Sequence, residues 1–269
     1  MKTGEIFKKE DFDFFRGVVR EAGNLALKHQ KHGLTVKRKN DSTIVTEADY
    51  AVQEYLIENI SRRYQDFNFI HEENFGGLHG DIDEEAIYVI IDPIDGTAVF
   101  SMLLPTWCVS VGIFKGYSPL YGFVYSPGSD LFFYNDEDAA YLNDNKIEVE
   151  AEMKIDSESN LFYASEIQKV FSIDFPGKIR NIGSTALQAS LTIDNARNRT
   201  VGFIGKSYIW DWAGALPVIL KAGGRVCYIS GKRIDFKKVY ENDFEFCDFL
   251  VVHNSMELEV MRKFFKILR

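Results

Sequence analysis

The stretch Asp92-Pro93-Ile94-Asp95-Gly96-Thr97 combines two carboxylates three positions apart with a proline, a glycine and a hydroxyl. The apolar run over 86–91 ahead of it reads as a buried strand, so both acids are carried out of a sheet into an irregular turn. Pro93 stiffens that exit, and Gly96 admits a backbone conformation that other residues resist. The amides of Gly96 and Thr97 would then open a helix N-terminus able to hold an anion. One turn thus offers ligands for a hard divalent cation and donors for a phosphate. Asp, Pro and Gly are also ordinary turn formers, so a solvated turn is the alternative for this stretch on its own.

Two further acidic positions change that balance. Glu72-Glu73 ends a second short apolar run, and like charges gathered at strand ends repel unless a cation compensates them. Asp211 stands between Trp210 and Trp212 ahead of an apolar helical stretch. It is either a helix N-cap or a ligand, and the two roles are compatible. His29 and His32 lie near a helix end with no third ligand close in sequence and are given no role. The run Asp81 to Glu85 imitates the start of a calcium loop but has Ala86 where glycine is needed, so it reads as a solvated loop. The sequence holds no Walker loop, no GxGxxG ahead of a helix and no GxSxG elbow.

These residues have to be positioned by regular elements. Apolar spacing predicts a helix over 11–30, stopped by Gly33, and a second helix beginning near Glu47. Thr46 and Asp49 in that second start have capping-box spacing, which puts Asp49 in the first turn. Strands are expected at 67–71, 86–91, 107–114, 120–125 and 130–134, with the middle section forming an antiparallel sheet. Beyond residue 150 the pattern alternates: a strand at 160–164, a helix over 185–194, a strand at 201–204 and a helix over 211–222 closed by Gly223-Gly224. The expected fold is α/β, with an α+β half over 1–149 and an α/β half over 150–269, stacked as a layered αβαβα sandwich. The site would lie between the halves, with Asp211 alone among the acids coming from the second.

Composition limits what such a site can serve. The chain has 269 residues with 46% hydrophobic and 26% charged, the balance of a folded globular protein. Its net charge of −9 gives no long-range attraction to nucleic acid or anionic lipid, so neither is expected as a partner. A phosphate would need local positive charge, which a divalent metal supplies where Lys and Arg do not. Cys108, Cys227 and Cys247 are widely spaced and in no zinc or disulfide pattern, which fits a reducing cytoplasm. The charged start and short apolar runs fit neither a signal peptide nor a membrane span.

Taken together, His71-Glu72-Glu73, DPIDGT at 92–97 and WDWAGA at 210–215 resemble, in order and spacing, the signatures of the inositol monophosphatase family. VTEAD at 45–49, GFVYSP at 122–127, AAYLNDNKI at 139–147 and KAGG at 221–224 extend the resemblance over nearly the whole chain. It implies magnesium ligands at Glu72, Asp92, the Ile94 carbonyl, Asp95 and Asp211, holding two or three ions. It also implies Asp49, Thr97 and Glu72 as catalytic residues, with Thr97 and Asp49 orienting the attacking water. Substrate would meet Asp95, Gly96, Thr97, Gly183, Ser184, Thr185 and Asp211, the Gly96 and Thr97 amides taking the phosphate. Lithium inhibition and a homodimer are implied too.

The sequence departs from the family at four places. His71 stands where the family commonly has Gly or Ser, and residues 100–105 lack the usual Asn-Phe. Ile204 falls where inositol-specific members place a glutamate, and Lys39 precedes VTEAD in a segment of slightly different length. The expectation is hydrolysis of small phosphate monoesters by metal-activated water, without a phosphoenzyme, and with inositol 1-phosphate not clearly preferred. Adenosine bisphosphate, histidinol phosphate and fructose bisphosphate are the competing substrates. A binding or regulatory protein with incidental phosphatase activity is the reading from another class.

Overall fold

A computed structural model describes residues 7–32, 36–38, 44–73, 82–150, 153–253 and 258–268. Gly33, Lys39 and Asp81 lie outside them. Helix α1 (Lys9–His32) buries Phe12, Phe15, Val18, Val19, Ala22 and Ala26, a stripe at three- and four-residue spacing. Strands β1 (Val36–Arg38) and β2 (Ile44–Thr46) form a small antiparallel pair leading into α2 (Glu47–Arg63). Thr46 caps α2 as the spacing predicted: its hydroxyl accepts from the Ala48 amide at 3.2 Å, and its own amide donates to Asp49 at 2.7 Å.

The first sheet runs β3 (Asn68–His71), β4 (Ile87–Asp95), β5 (Cys108–Lys115), β6 (Ser118–Ser126), β7 (Leu131–Asn135), β8 (Ala140–Leu142) and β9 (Asn145–Ile147), in that order. All neighbours are antiparallel except β3 and β4, which are parallel. The short helix α3 (Thr97–Ser101) follows β4 directly. Aromatic and β-branched residues alternate across these strands, as a sheet covered on both faces requires. Val89, Ile91, Val111 and Phe123 meet α1 and α2, while Ile90, Val124 and Phe133 point the other way.

The second sheet is mixed. It contains β10 (Asn160–Tyr163), β12 (Lys178–Arg180), β13 (Thr200–Gly205), β14 (Arg225–Tyr228) and β15 (Leu250–His253), and β11 (Phe171–Ile173) lies outside it. Their order is β12-β10-β13-β15-β14, parallel across the first three and antiparallel beyond. Between the sheets sit α4 (Thr185–Leu191), α6 (Ile209–Ala213) and α7 (Ala215–Lys221), whose apolar residues share one core with Ile90, Phe133, Phe203 and Val252. The short α5 (Asn195–Asn198) connects α4 to β13, and α8 (Phe236–Glu241) precedes β15. On the outer face α9 (Leu258–Arg262) and β16 (Phe265–Ile267), the latter paired with β11, cover Leu161, Val201 and Val251. Helix pair, sheet, helices, sheet and outer helix make the αβαβα sandwich.

Three expectations change. The expected helix 185–194 stops at Leu191, with α5 as a separate turn. The expected helix 211–222 begins at Ile209 and divides at Gly214 into α6 and α7. The strand expected to end at residue 91 continues to Asp95. Apolar periodicity does not register these breaks, because the residues on either side of each remain buried.

Candidate metal and phosphate site

The extension of β4 explains how Asp92 and Asp95 reach the same place. Residues three apart on a regular strand face opposite sides of the sheet. Here Asp92 pairs with Ser110 and Asp95 with Cys108, three steps on β4 against two on β5, so one extra residue is accommodated as a bulge. Pro93, with no N–H to lose from the ladder, suits that interruption. Both carboxylates therefore turn toward the inter-sheet layer, on the side of Ser110 and Cys108. Gly96 follows with φ +96°, a left-handed conformation that glycine adopts without strain, and this starts α3.

Asp211 comes from the inter-sheet layer through a glycine contact. A Cβ on Gly122 would lie 1.9 Å from the Gly214 carbonyl oxygen, and one on Gly112 2.4 Å from that of Ala213. The junction of α6 and α7 thus rests on the backbone of β5 and β6. Trp212 is fully buried, packs against Phe203 at 5.4 Å between ring centroids, and donates its indole N–H to Ser207 at 3.0 Å. Asp211 sits in the first turn of α6 and accepts from the Tyr208 amide at 2.9 Å, so it is not the N-cap residue itself.

Ligand oxygens of Asp92, Asp95 and Asp211 all lie within 4.8 Å of one another. Burial pushes the Asp92 carboxyl well up, and Glu72, Asp95, Asp211 and Asp49 push it further. Asp211 is raised by burial and then by Asp95 and Glu72. Asp95 is raised to about 6 by burial, held back by hydrogen bonds from Ser184, Ala186, Thr185 and Cys108. Three acids gathered in a shielded place, each raised in pKa chiefly by burial, form a hard all-oxygen donor set that fits Mg²⁺ or Ca²⁺. Glu72 stands outside the three-carboxylate group but acts electrostatically on Asp49, Asp92 and Asp211.

The Glu72-Glu73 turn is fixed by a residue that sequence reading passed over. Gln53 of α2 accepts from the Glu73 amide at 3.1 Å and donates to the Glu73 carbonyl at 3.0 Å. Its one visible signal is a polar side chain beside Val52 and Leu56 on a buried face. His71 Nδ1 lies 2.9 Å from the same carbonyl, and burial pushes its imidazole pKa down.

Asp49 and Thr97 meet beside this group. Asp49 is fully buried, and its Oδ2 accepts from the Thr46 amide at 2.7 Å and hydroxyl at 2.6 Å. Its Oδ1 lies 3.2 Å from the Thr97 hydroxyl, which is also 3.0 Å from the Ile94 carbonyl oxygen. Burial lifts the Asp49 carboxyl to about 6 against those bonds, with Glu72 adding to the rise. Gly183, at φ +89°, Ser184 and Thr185 are brought to Asp95: the Ser184 hydroxyl and the Thr185 amide, the latter at 3.1 Å, donate to its carboxylate. Ile204 does not reach the site. It is fully buried on the outer side of the second sheet with Leu161, Ile167, Val251 and Met261, because the alternation of β13 turns Phe203 inward and Ile204 away.

A buried carboxylate cluster between two α/β layers, with a hydroxyl–carboxylate pair beside it, belongs to the class of metal-dependent hydrolases that act on phosphate esters. The sequence profile of the inositol monophosphatase family matches residues 8–258, and the chain belongs to that family, whose members are phosphatases. Inositol monophosphatase 1 of Solanum lycopersicum is 29% identical over 230 residues, covering 80% of this chain and 83% of the relative. The Nus factor SuhB of Xylella fastidiosa is 26% identical over 227 residues, 79% of each chain. The Thermotoga maritima IMPase structure superposes with TM-score 0.77 at 25% identity, covering 94% of this chain and 96% of that one. Family and site agree on metal-dependent hydrolysis of phosphate monoesters.

Proposed function

We propose that the protein is a Mg²⁺-dependent phosphatase of small phosphorylated metabolites with broad specificity, using two or three ions and inhibited by lithium. The observation that carries this is the group of Asp92, Asp95 and Asp211, mutually within 4.8 Å and all raised in pKa. Those residues, with Glu72 and the Ile94 carbonyl, would hold the metal. A divalent cation bound there supplies Lewis acidity and offsets the charge of a phosphate ester. Asp49 and Thr97 act on the attacking water. With Oδ2 of Asp49 occupied by Thr46, Oδ1 takes the Thr97 proton, and the Thr97 oxygen accepts one from the water. The Gly96 and Thr97 amides bind phosphate oxygens. Asp95, Thr97 and Asp211, with the Gly183–Thr185 segment, border the substrate.

Position 204 does not contribute to the specificity, because its side chain packs into the outer core away from the site. The test is phosphate release from inositol 1-phosphate, an adenosine bisphosphate, histidinol phosphate and fructose bisphosphate, with magnesium and with EDTA. Release unaffected by EDTA would refute the metal reading, and activity on one substrate alone would refute the breadth.

The same reading includes a homodimer in the cytoplasm. Met102 and Leu103, 67% and 65% exposed, with Leu104 beside them, form an apolar surface suited to self-association. The division near residue 150, between the end of β9 and the start of β10, separates the units whose docking brings Asp211 to the other acids. The relative named Nus factor SuhB supports a second reading, a binding or regulatory protein with incidental phosphatase activity. Pull-down from cell extract with and without magnesium separates the two.

A further inference from the structure

Asp95 is held by more donors than any other acid of the group. Its Oδ2 accepts from the Ser184 hydroxyl, from the Ala186 amide at 2.7 Å and from the Cys108 thiol at 3.6 Å. Among the described residues its Oδ1 accepts from the Thr185 amide alone, at 3.1 Å. A carboxylate oxygen offers about two lone-pair directions. Oδ2 is therefore saturated from the side of α4, and Oδ1 keeps an acceptor site to offer elsewhere.

The Ser184 hydroxyl is itself oriented. It accepts from the Leu187 amide at 3.2 Å as the cap of α4, which leaves its proton to point at Asp95. The Cys108 sulfur lies 3.4 Å from the Ser184 hydroxyl oxygen. Ser184 is fully buried, so water does not compete for these bonds. The turn is also locked in place: a Cβ on Gly183 would stand 2.3 Å from Val99 Cγ1 in α3, the helix that follows Asp95 in the chain. The first turn of α4 and the end of β4 are thus fitted to each other at one carboxylate.

We propose that Ser184 is a positioning residue for the metal centre: it ties down Oδ2 of Asp95 and so fixes Oδ1 as the oxygen presented to a divalent cation, with Cys108 as a weaker second hold. This rests on Asp95 being a metal ligand. Partners that orient a ligand in this way are typically worth about 10- to 100-fold in metal affinity. The amides of Thr185 and Ala186 cannot be removed by changing a side chain, but Ser184 and Cys108 can be tested.

The experiment is calorimetric titration of metal-free protein with magnesium chloride, comparing wild type, Ser184→Ala, Ser184→Thr and Cys108→Ala, with melting temperatures in EDTA. Ser184→Ala should weaken the magnesium dissociation constant by about 10-fold or more, and Ser184→Thr, which keeps the hydroxyl, should stay within about 3-fold. Cys108→Ala should fall between them. A lower melting temperature for Ser184→Ala with an unchanged magnesium constant would reduce Ser184 to a helix cap and overturn the proposal. Equal weakening in Ser184→Thr would overturn it too, because the hydroxyl would then not be the active feature. Absence of magnesium binding by wild type would instead overturn the metal reading beneath it.

Discussion

Asp92→Asn should change the sign of its effect on stability according to whether magnesium is present. In metal-free protein near pH 8, Asp92 faces Asp95 and Asp211 within 4.8 Å. At an effective dielectric of about 20, a pair at the outer limit of 4.8 Å repels by roughly 3.5 kcal/mol, so two give about 7 kcal/mol before relaxation. Proton uptake sets another limit. Keeping a carboxyl of ordinary pKa protonated at pH 8 costs about 6 kcal/mol at 1.36 kcal/mol per unit. The asparagine carries no charge, and its Oδ1 can keep the bond that Asp92 accepts from the Ile94 amide at 3.0 Å. Allowing for relaxation and partial protonation, about 2 kcal/mol of gain is expected, which is about 4–8 °C in melting temperature for a chain of this size. With magnesium at a hundred times its dissociation constant, wild type gains about 2.7 kcal/mol that the variant largely forgoes. Differential scanning fluorimetry in EDTA and in magnesium reads both arms. A variant that melts below wild type in EDTA while keeping its circular dichroism spectrum would refute the claim that mutual repulsion dominates the empty cluster.

Asp49 is raised to about 6, so in the metal-free protein its ionisation lowers folded-state stability progressively between about pH 4 and 6, by roughly 3 kcal/mol. Asp49→Asn should therefore gain on wild type in urea melts in EDTA as pH rises through that window. Thr97→Ala is expected to lower kcat by roughly 10²-fold with little change in KM, and Thr97→Ser to restore most of the loss; a change confined to KM would make Thr97 a substrate contact only. Gly122→Ala would force the α6–α7 junction off β6, costing about 2 kcal/mol or more and weakening magnesium binding through Asp211, both read by titration and melting. Ile204→Glu buries a charge in the outer core and should destabilise by about 3 kcal/mol or more without creating inositol preference, as denaturant melts and kcat/KM would reveal.

The acids stood out in the sequence because like charges gathered at the ends of apolar runs repel unless a cation compensates them. Asp49 was readable from the capping spacing of Thr46, since a local motif repeats its geometry wherever it occurs. What eluded the sequence depends on contacts between distant segments. The bulge that swings Asp95 to the side of Asp92 exists only through pairing with Ser110 and Cys108 on β5. The roles of Gln53, Ser184 and Cys108 arise from partners 20, 89 and 13 positions away. Ile204 aligns with a specificity position by spacing, yet whether it faces the site depends on the register of β13, which one residue reverses. The break at Gly214 was hidden because glycine inside an apolar helical pattern is tolerated, and its contact with Gly122 is not encoded locally.

That glycine contact has a consequence for the order in which the protein assembles. Strands β4 to β9 pair with sequence neighbours and close short loops, so the first sheet can zip up early. Asp211 is 119 positions beyond Asp92 and reaches it only after α6 and α7 settle on a surface that two adjacent strands have already formed. Three carboxylates must be brought together in that last step, against their own repulsion. Catalytic competence is therefore a late event in folding and an early casualty of partial unfolding, lost when α6 lifts from β5 while most of the first sheet is still intact.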